Sequence, residues 1–210
     1  MNFKHICSEL LIRSDQERAE QMSAYLNNRF RFIGIRAQER KQITADLWDD
    51  AKKEVAEQGL DTVFIDACLD QNFREFQYIT IEYLNQVKDE LKVTDLETVK
   101  RVALHQPWWD TVDACFNLIG YLAYKYPEVK EEVRRWAESD NIWLRRLAIL
   151  HQNGYFEHTD PNLLAEILDL NYDHDALMVR RAVEWALKQY AKIDADWVDN
   201  YRRQHDLTEA

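Results

Sequence analysis

Glycine and proline are scarce in this 210-residue chain, with four of one and three of the other. A many-turned β architecture needs far more of both, so the shortage favours long helices with short connections. Cysteine is nearly absent too: Cys7, Cys68 and Cys115 are an odd, widely separated set with no CxxC pair. That excludes a disulfide framework and a Cys-rich zinc site, and it suits a reducing compartment. No basic segment followed by a long apolar run opens the sequence, since His5-Ile6-Cys7-Ser8-Glu9-Leu10-Leu11-Ile12 is broken early by polar residues. Nothing approaches the roughly 20 apolar residues of a membrane span. A cytoplasmic protein with no membrane partner is expected.

Chemical motifs are missing as well. The six histidines form no HExxH spacing, and neither GxxxxGK[ST] nor GxGxxG occurs. No metal site and no cofactor are expected. Basic excess is also lacking: 38 Asp and Glu against 27 Lys and Arg give a formal net charge of −11. Such acidity opposes indiscriminate attraction to nucleic acid, which rests on Lys and Arg neutralising phosphates. A nucleic-acid reader of this composition has to gather its cations on one face.

What the chain has is helical periodicity. Apolar residues recur at i, i+3, i+4 and i+7 through 73–84, through 142–150 after the capping cluster Ser139-Asp140-Asn141, and through 177–187 after Asp173-His174-Asp175. Breaks fall at Gly34, Gly59, Gln106-Pro107, Pro127, Asn153-Gly154 and Asp160-Pro161. Arg40, Arg74, Asp110, Arg146 and Arg181 stand near the starts of successive stretches, separated by 34, 36, 36 and 35 residues. A period of that size is the signature of stacked two-helix units, each too small to bury its apolar side alone. The expectation is an all-α fold, an α-α superhelix (solenoid) of HEAT-like repeats forming a single domain over 1–210. Stacking would line Arg36, Arg40, Lys41, Arg74, Arg145, Arg146, Arg180 and Arg181 along one concave groove. Alternatively, those arginines pair with neighbouring carboxylates on a solvated surface.

The heptad Pro107-Trp108-Trp109-Asp110-Thr111-Val112-Asp113 is the most informative. Pro107 suits the first turn of a helix, and Trp109 and Asp113, four apart, then share a face. Arg146 and Trp185 hold inner positions of the next two repeats, so one acid, one guanidinium and two indoles from three repeats can meet. Aromatic faces attract cations, a held carboxylate stabilises positive charge developing on a sugar, and Arg grips phosphate. Such a set suits hydrolysis of an N-glycosidic bond whose base already carries positive charge. On spacing alone, core tryptophans and a helix-capping Asp account for the same residues.

Five blocks run from Phe32-Ile33-Gly34-Ile35-Arg36-Ala37-Gln38-Glu39-Arg40 and Arg74-Glu75-Phe76-Gln77, through Trp108-Trp109-Asp110-Thr111-Val112-Asp113, to 143–152 and 185–192. In order and spacing they resemble the bacterial HEAT-like-repeat DNA alkylation repair glycosylases, the AlkD family. The resemblance implies a monofunctional DNA glycosylase that excises N7-methylguanine and N3-methyladenine from double-stranded alkylated DNA in base excision repair and engages the lesion while it stays stacked; a self-contained clamp on DNA would be a monomer. Carried onto this sequence, Asp113 is the catalytic carboxylate, Trp109 and Trp185 line the lesion's deoxyribose, and Arg146 contacts phosphate. Arg36, Arg40, Lys41, Arg74, Arg145, Arg180 and Arg181 are the DNA-binding candidates. The chain departs from the family pattern at Gln38 and at Glu184, which puts a carboxylate directly before Trp185. The alternative is a catalytically silent paralogue serving as a DNA- or protein-binding HEAT-repeat module.

Overall fold

A computed structural model describes residues 2–207. Among them every regular element is helical, and pairing between extended segments is limited to one isolated bridge, Arg31 with Phe73. The fold is all-α. No helix among the described residues is long and apolar enough to cross a membrane.

The helices fall into two compact units that meet in sequence between His105 and Gln106. The first holds α1 (Phe3–Ile12), α2 (Gln16–Tyr25), α3 (Ala37–Thr44), α4 (Trp48–Gln58), α5 (Thr62–Leu69), α6 (Arg74–Gln86) and α7 (Leu96–Leu104). The second holds α8 (Trp109–Lys125), α9 (Pro127–Trp136), α10 (Ile142–Leu150), α11 (Pro161–Asp169), α12 (Leu177–Tyr190) and α13 (Ala195–Gln204). The 34-to-36-residue period falls on α3, α6, α8, α10 and α12, with one or more further helices between each pair.

Local chemistry sets the boundaries. Pro127 and Pro161 each occupy the first position of a helix, where a missing N–H costs nothing. Asn141 caps α10 by accepting from the Trp143 N–H at 2.9 Å. Pro107 lies ahead of α8 rather than in its first turn: Gln106 takes a left-handed φ of 43°, and extended Trp108 is the cap residue.

In the first unit α6 is the central helix, packed by α4, α5 and α7. Its Tyr83 meets Phe64 edge-on with ring centroids 5.4 Å apart. Glu75, fully buried, ties the extended segment before α3 to this helix. Its carboxylate accepts from the backbone N–H groups of Ile33, Gly34 and Ile35 at 2.9–3.2 Å, so the buried charge is met by aligned donors. Gly34 permits this path. Its φ is +98°, and a Cβ there would meet the Asp15 carbonyl oxygen at 2.1 Å.

In the second unit α10 is central, packed against α8, α9 and α12. Consistent with that place, it buries Trp143, Arg146, Leu147, Ala148, Ile149 and Leu150, nearly all round. The outer helix α9 buries only Val129, Val133 and Trp136, the i, i+4, i+7 stripe of a one-sided helix.

Candidate functional site

Asp113, Arg146, Trp109 and Trp185 all lie in the second unit, on α8, α10 and α12. Trp109 opens α8 and Asp113 follows one turn later on the same side. The Asp113 carboxylate is held in bidentate fashion by Arg146: Nε donates to Oδ1 at 2.6 Å and Nη2 to Oδ2 at 2.7 Å. The third guanidinium nitrogen, Nη1, donates to the Met178 carbonyl at 2.6 Å, in the first turn of α12. One planar group thus joins three helices. The guanidinium is the more enclosed partner, with its side chain 6% exposed against 20% for that of Asp113.

Trp185 stands half-buried on α12, edge-on to Phe116, with centroids 5.4 Å apart and planes at 84°. Phe116 is three residues beyond Asp113 on α8, so it seats the second indole beside the same helix turn. Trp109 is likewise half-buried. At the start of the site Trp108 and Trp143 pack edge-to-face at 5.7 Å, joining the first turns of α8 and α10. Glu184 faces α13, where Arg202 neutralises it through Nη2 to Oε2 at 2.7 Å. Cys115 lies next along α8 and is fully buried. Burial, with a smaller push from the Asp113 carboxylate, raises its thiol to about 12, so it packs as a neutral apolar group at physiological pH. Among the described residues no three His, Cys, Asp or Glu side chains gather as a metal set.

The arrangement offers an oriented, partly exposed carboxylate with one indole on its own helix and another against Phe116, three residues along that helix. A carboxylate so placed can stabilise an adjacent cation or align a water.

The structure divides the basic candidates by what their charged groups engage. Arg36, at the start of α3, Lys41 and Arg181 are exposed. Arg40 is buried, bonded to Glu82 at 2.7 and 3.0 Å and stacked over Tyr78. Arg74 is buried over the Phe30 ring at 3.7 Å and bonded to Gln77. Arg145 donates to the carbonyls of Ser139 and Ala137 and to the Asn171 side chain, fastening the turn before α10. Arg180 donates to the carbonyls of His174 and Asp175 ahead of α12. Arg40, Arg74 and Arg145 thus depart from both sequence expectations, a row of free cations along a concave groove or ion pairs on a solvated surface, because they are ties inside their own unit. The sequence reading also missed two contributors. Phe116 was open to helical phase, being i+3 from Asp113, whereas Met178 contributes a backbone carbonyl that no side-chain motif signals.

The model of a family described as DNA alkylation repair enzyme matches residues 6–209. A solved structure titled as a predicted DNA alkylation repair enzyme from Enterococcus faecalis is similar, with a TM-score of 0.83 at 27% identity, over 93% of this chain and 91% of that one. No protein of curated function matches.

Proposed function

Because the chain belongs to the DNA alkylation repair enzyme family, we propose that it is a DNA glycosylase hydrolysing the N-glycosidic bond of cationic alkylpurines, N7-methylguanine and N3-methyladenine, in duplex DNA. The observation that carries this reading is the Asp113 carboxylate, clamped by Arg146 and flanked on its helix by Trp109. A purine that already bears a positive charge leaves with the bonding electron pair as a neutral base and needs no strong general acid. Positive charge then develops on the deoxyribose, where a fixed anion lowers the barrier. Trp109 and Trp185 would border the cationic nucleotide. A water aligned by Asp113 adds its oxygen to the anomeric carbon and loses a proton to solvent or to that carboxylate. Arg146, with all three of its nitrogens engaged by internal acceptors, holds the carboxylate in place and meets phosphate only through its remaining N–H groups.

In this reading the protein takes duplex DNA and works as a cytoplasmic monomer. The test is release of free methylpurine from methylated duplex. Wild-type protein is expected to release it, and Asp113→Asn to slow release by about 10²–10³-fold. Wild-type protein that releases no alkylpurine overturns the reading. A second reading, a binding module without catalysis, draws on the −11 charge and on the internal use of Arg40 and Arg74. It predicts negligible base release and a shallow salt dependence of DNA binding, so the release assay together with a salt titration separates the two.

A further inference from the structure

On α12 the residues Arg181, Trp185, Lys188 and Lys192 are spaced i, i+4, i+7 and i+11, which puts them along one side of the helix. The three cations are exposed and the indole between them is half-buried. The opposite side buries Val179, Ala182, Val183, Ala186 and Leu187. Among the described residues none of the three cations pairs with a carboxylate; the Lys192 ammonium donates only to the neutral Gln189 side chain at 2.8 Å. The nearest acid on the helix, Glu184, is turned to α13 and neutralised by Arg202. A protein of net charge −11 thus keeps three exposed positive charges on this side, none of them paired with a carboxylate, that bracket one indole of the site.

We propose that this run is a phosphate rail, gripping the backbone of the strand that carries the damaged nucleotide on both sides of the lesion. The proposal rests on the glycosylase reading for the position of the lesion beside Trp185. From Arg181 to Lys192 the helix rises about 16 Å, a length over which one strand of duplex presents about five phosphates. Three cations at unequal spacing, about 10 Å and then about 6 Å, fit contacts on either side of an indole-lined nucleotide rather than an even comb. The rail gives a number: three phosphate contacts correspond to a slope of about −2.7 in log affinity against log salt, well below that of a wholly basic groove.

The experiment measures binding of a methylated duplex across 0.05–0.3 M salt by fluorescence anisotropy. It compares wild type, the triple variant Arg181→Gln/Lys188→Gln/Lys192→Gln, and a control with the same charge change, Lys52→Gln/Lys53→Gln/Lys92→Gln in the first unit. The expected result is a loss of affinity on the order of 10²-fold at 0.1 M salt and of nearly all the slope in the triple variant, with the control close to wild type. Thermal unfolding followed by circular dichroism checks that the triple variant is folded. Neutral methylphosphonates flanking the lesion on its own strand are expected to reproduce the loss, and the same groups on the complementary strand are not. Equal losses in triple variant and control, a wild-type slope retained by the triple variant, or sensitivity confined to the complementary strand overturns the rail. Any of these leaves the glycosylase reading standing if methylpurine is still released. Conversely, absent base release with an intact salt effect removes the catalytic reading and retains the rail as a DNA contact.

Discussion

Gly120 of α8 and the carbonyl of His151, just past the end of α10, approach so closely that a Cβ at residue 120 would stand 2.1 Å from that oxygen. The Gly120 carbonyl in turn accepts from the Tyr155 hydroxyl at 2.6 Å. Two turns earlier, α8 presents Asp113 to α10, so the missing side chain at 120 sets the separation on which the Asp113–Arg146 clamp depends. Gly120→Ala is expected to push the helices apart, destabilising the protein by about 1–3 kcal/mol. Urea unfolding measures the loss, and base release is expected to fall with it.

Arg146 holds a carboxylate that is itself four-fifths shielded. Arg146→Met leaves that charge without its partner and is expected to cost about 3 kcal/mol. Base release should fall by on the order of 10²-fold as the acid loses its orientation. In Asp113→Asn/Arg146→Met the stability, but not the activity, recovers in part, and a double-mutant cycle on unfolding free energies reads the coupling.

His151 is buried, and its Nδ1 lies 2.6 Å from the Ala148 carbonyl. Burial is the main cause that lowers its imidazole from 6.5 to about 4. Above pH 6.5 the ring is neutral in both folded and unfolded chains and imposes no penalty. As pH falls from 6.5 towards 4 the unfolded chain takes up a proton that the folded one refuses, removing up to about 3 kcal/mol of stability. His105, lowered by burial and by Arg74 and Arg101, acts in the same sense. Urea midpoints should therefore decline between pH 6.5 and 5, before the carboxylates titrate, and His151→Gln should flatten that decline.

Glu75 tests the anchoring of α3. In Glu75→Gln an amide N–H₂ faces donors that now meet an acceptor, and about 3 kcal/mol should be lost. The amides of Ile33, Gly34 and Ile35 should lose protection from hydrogen exchange ahead of the rest of the unit. Unchanged protection at those three amides would contradict the anchoring role.

Much of this fold is written in local signals. Asn141, Pro127 and Pro161 mark helix starts because a cap or a ring acts within one turn, and the 34-to-36-residue period falls on α3, α6, α8, α10 and α12. Long-range partners are another matter. Arg40 reads as a surface cation until Glu82, 42 residues later, is seen to hold it, and Arg74 until the Phe30 ring covers it. Composition cannot say which of many carboxylates meets which guanidinium. The resemblance proposes roles for Asp113, Trp109, Trp185 and Arg146, whereas the Asp113–Arg146 clamp and the Met178 contact are seen only in the structure. Lys188 and Lys192 fall inside the 185–192 block, and their shared side with Trp185 emerges from exposure combined with helical phase.

The single guanidinium spanning α8, α10 and α12 also limits how this architecture can be rebuilt. The bearing of the acid depends on a residue 33 positions downstream and on a carbonyl 32 beyond that. A hairpin containing only Asp113, transplanted into another helical protein, would carry the sequence of the motif without its aim. Inserting or deleting one helical hairpin between residues 113 and 178 would likewise break the clamp while leaving each helix intact.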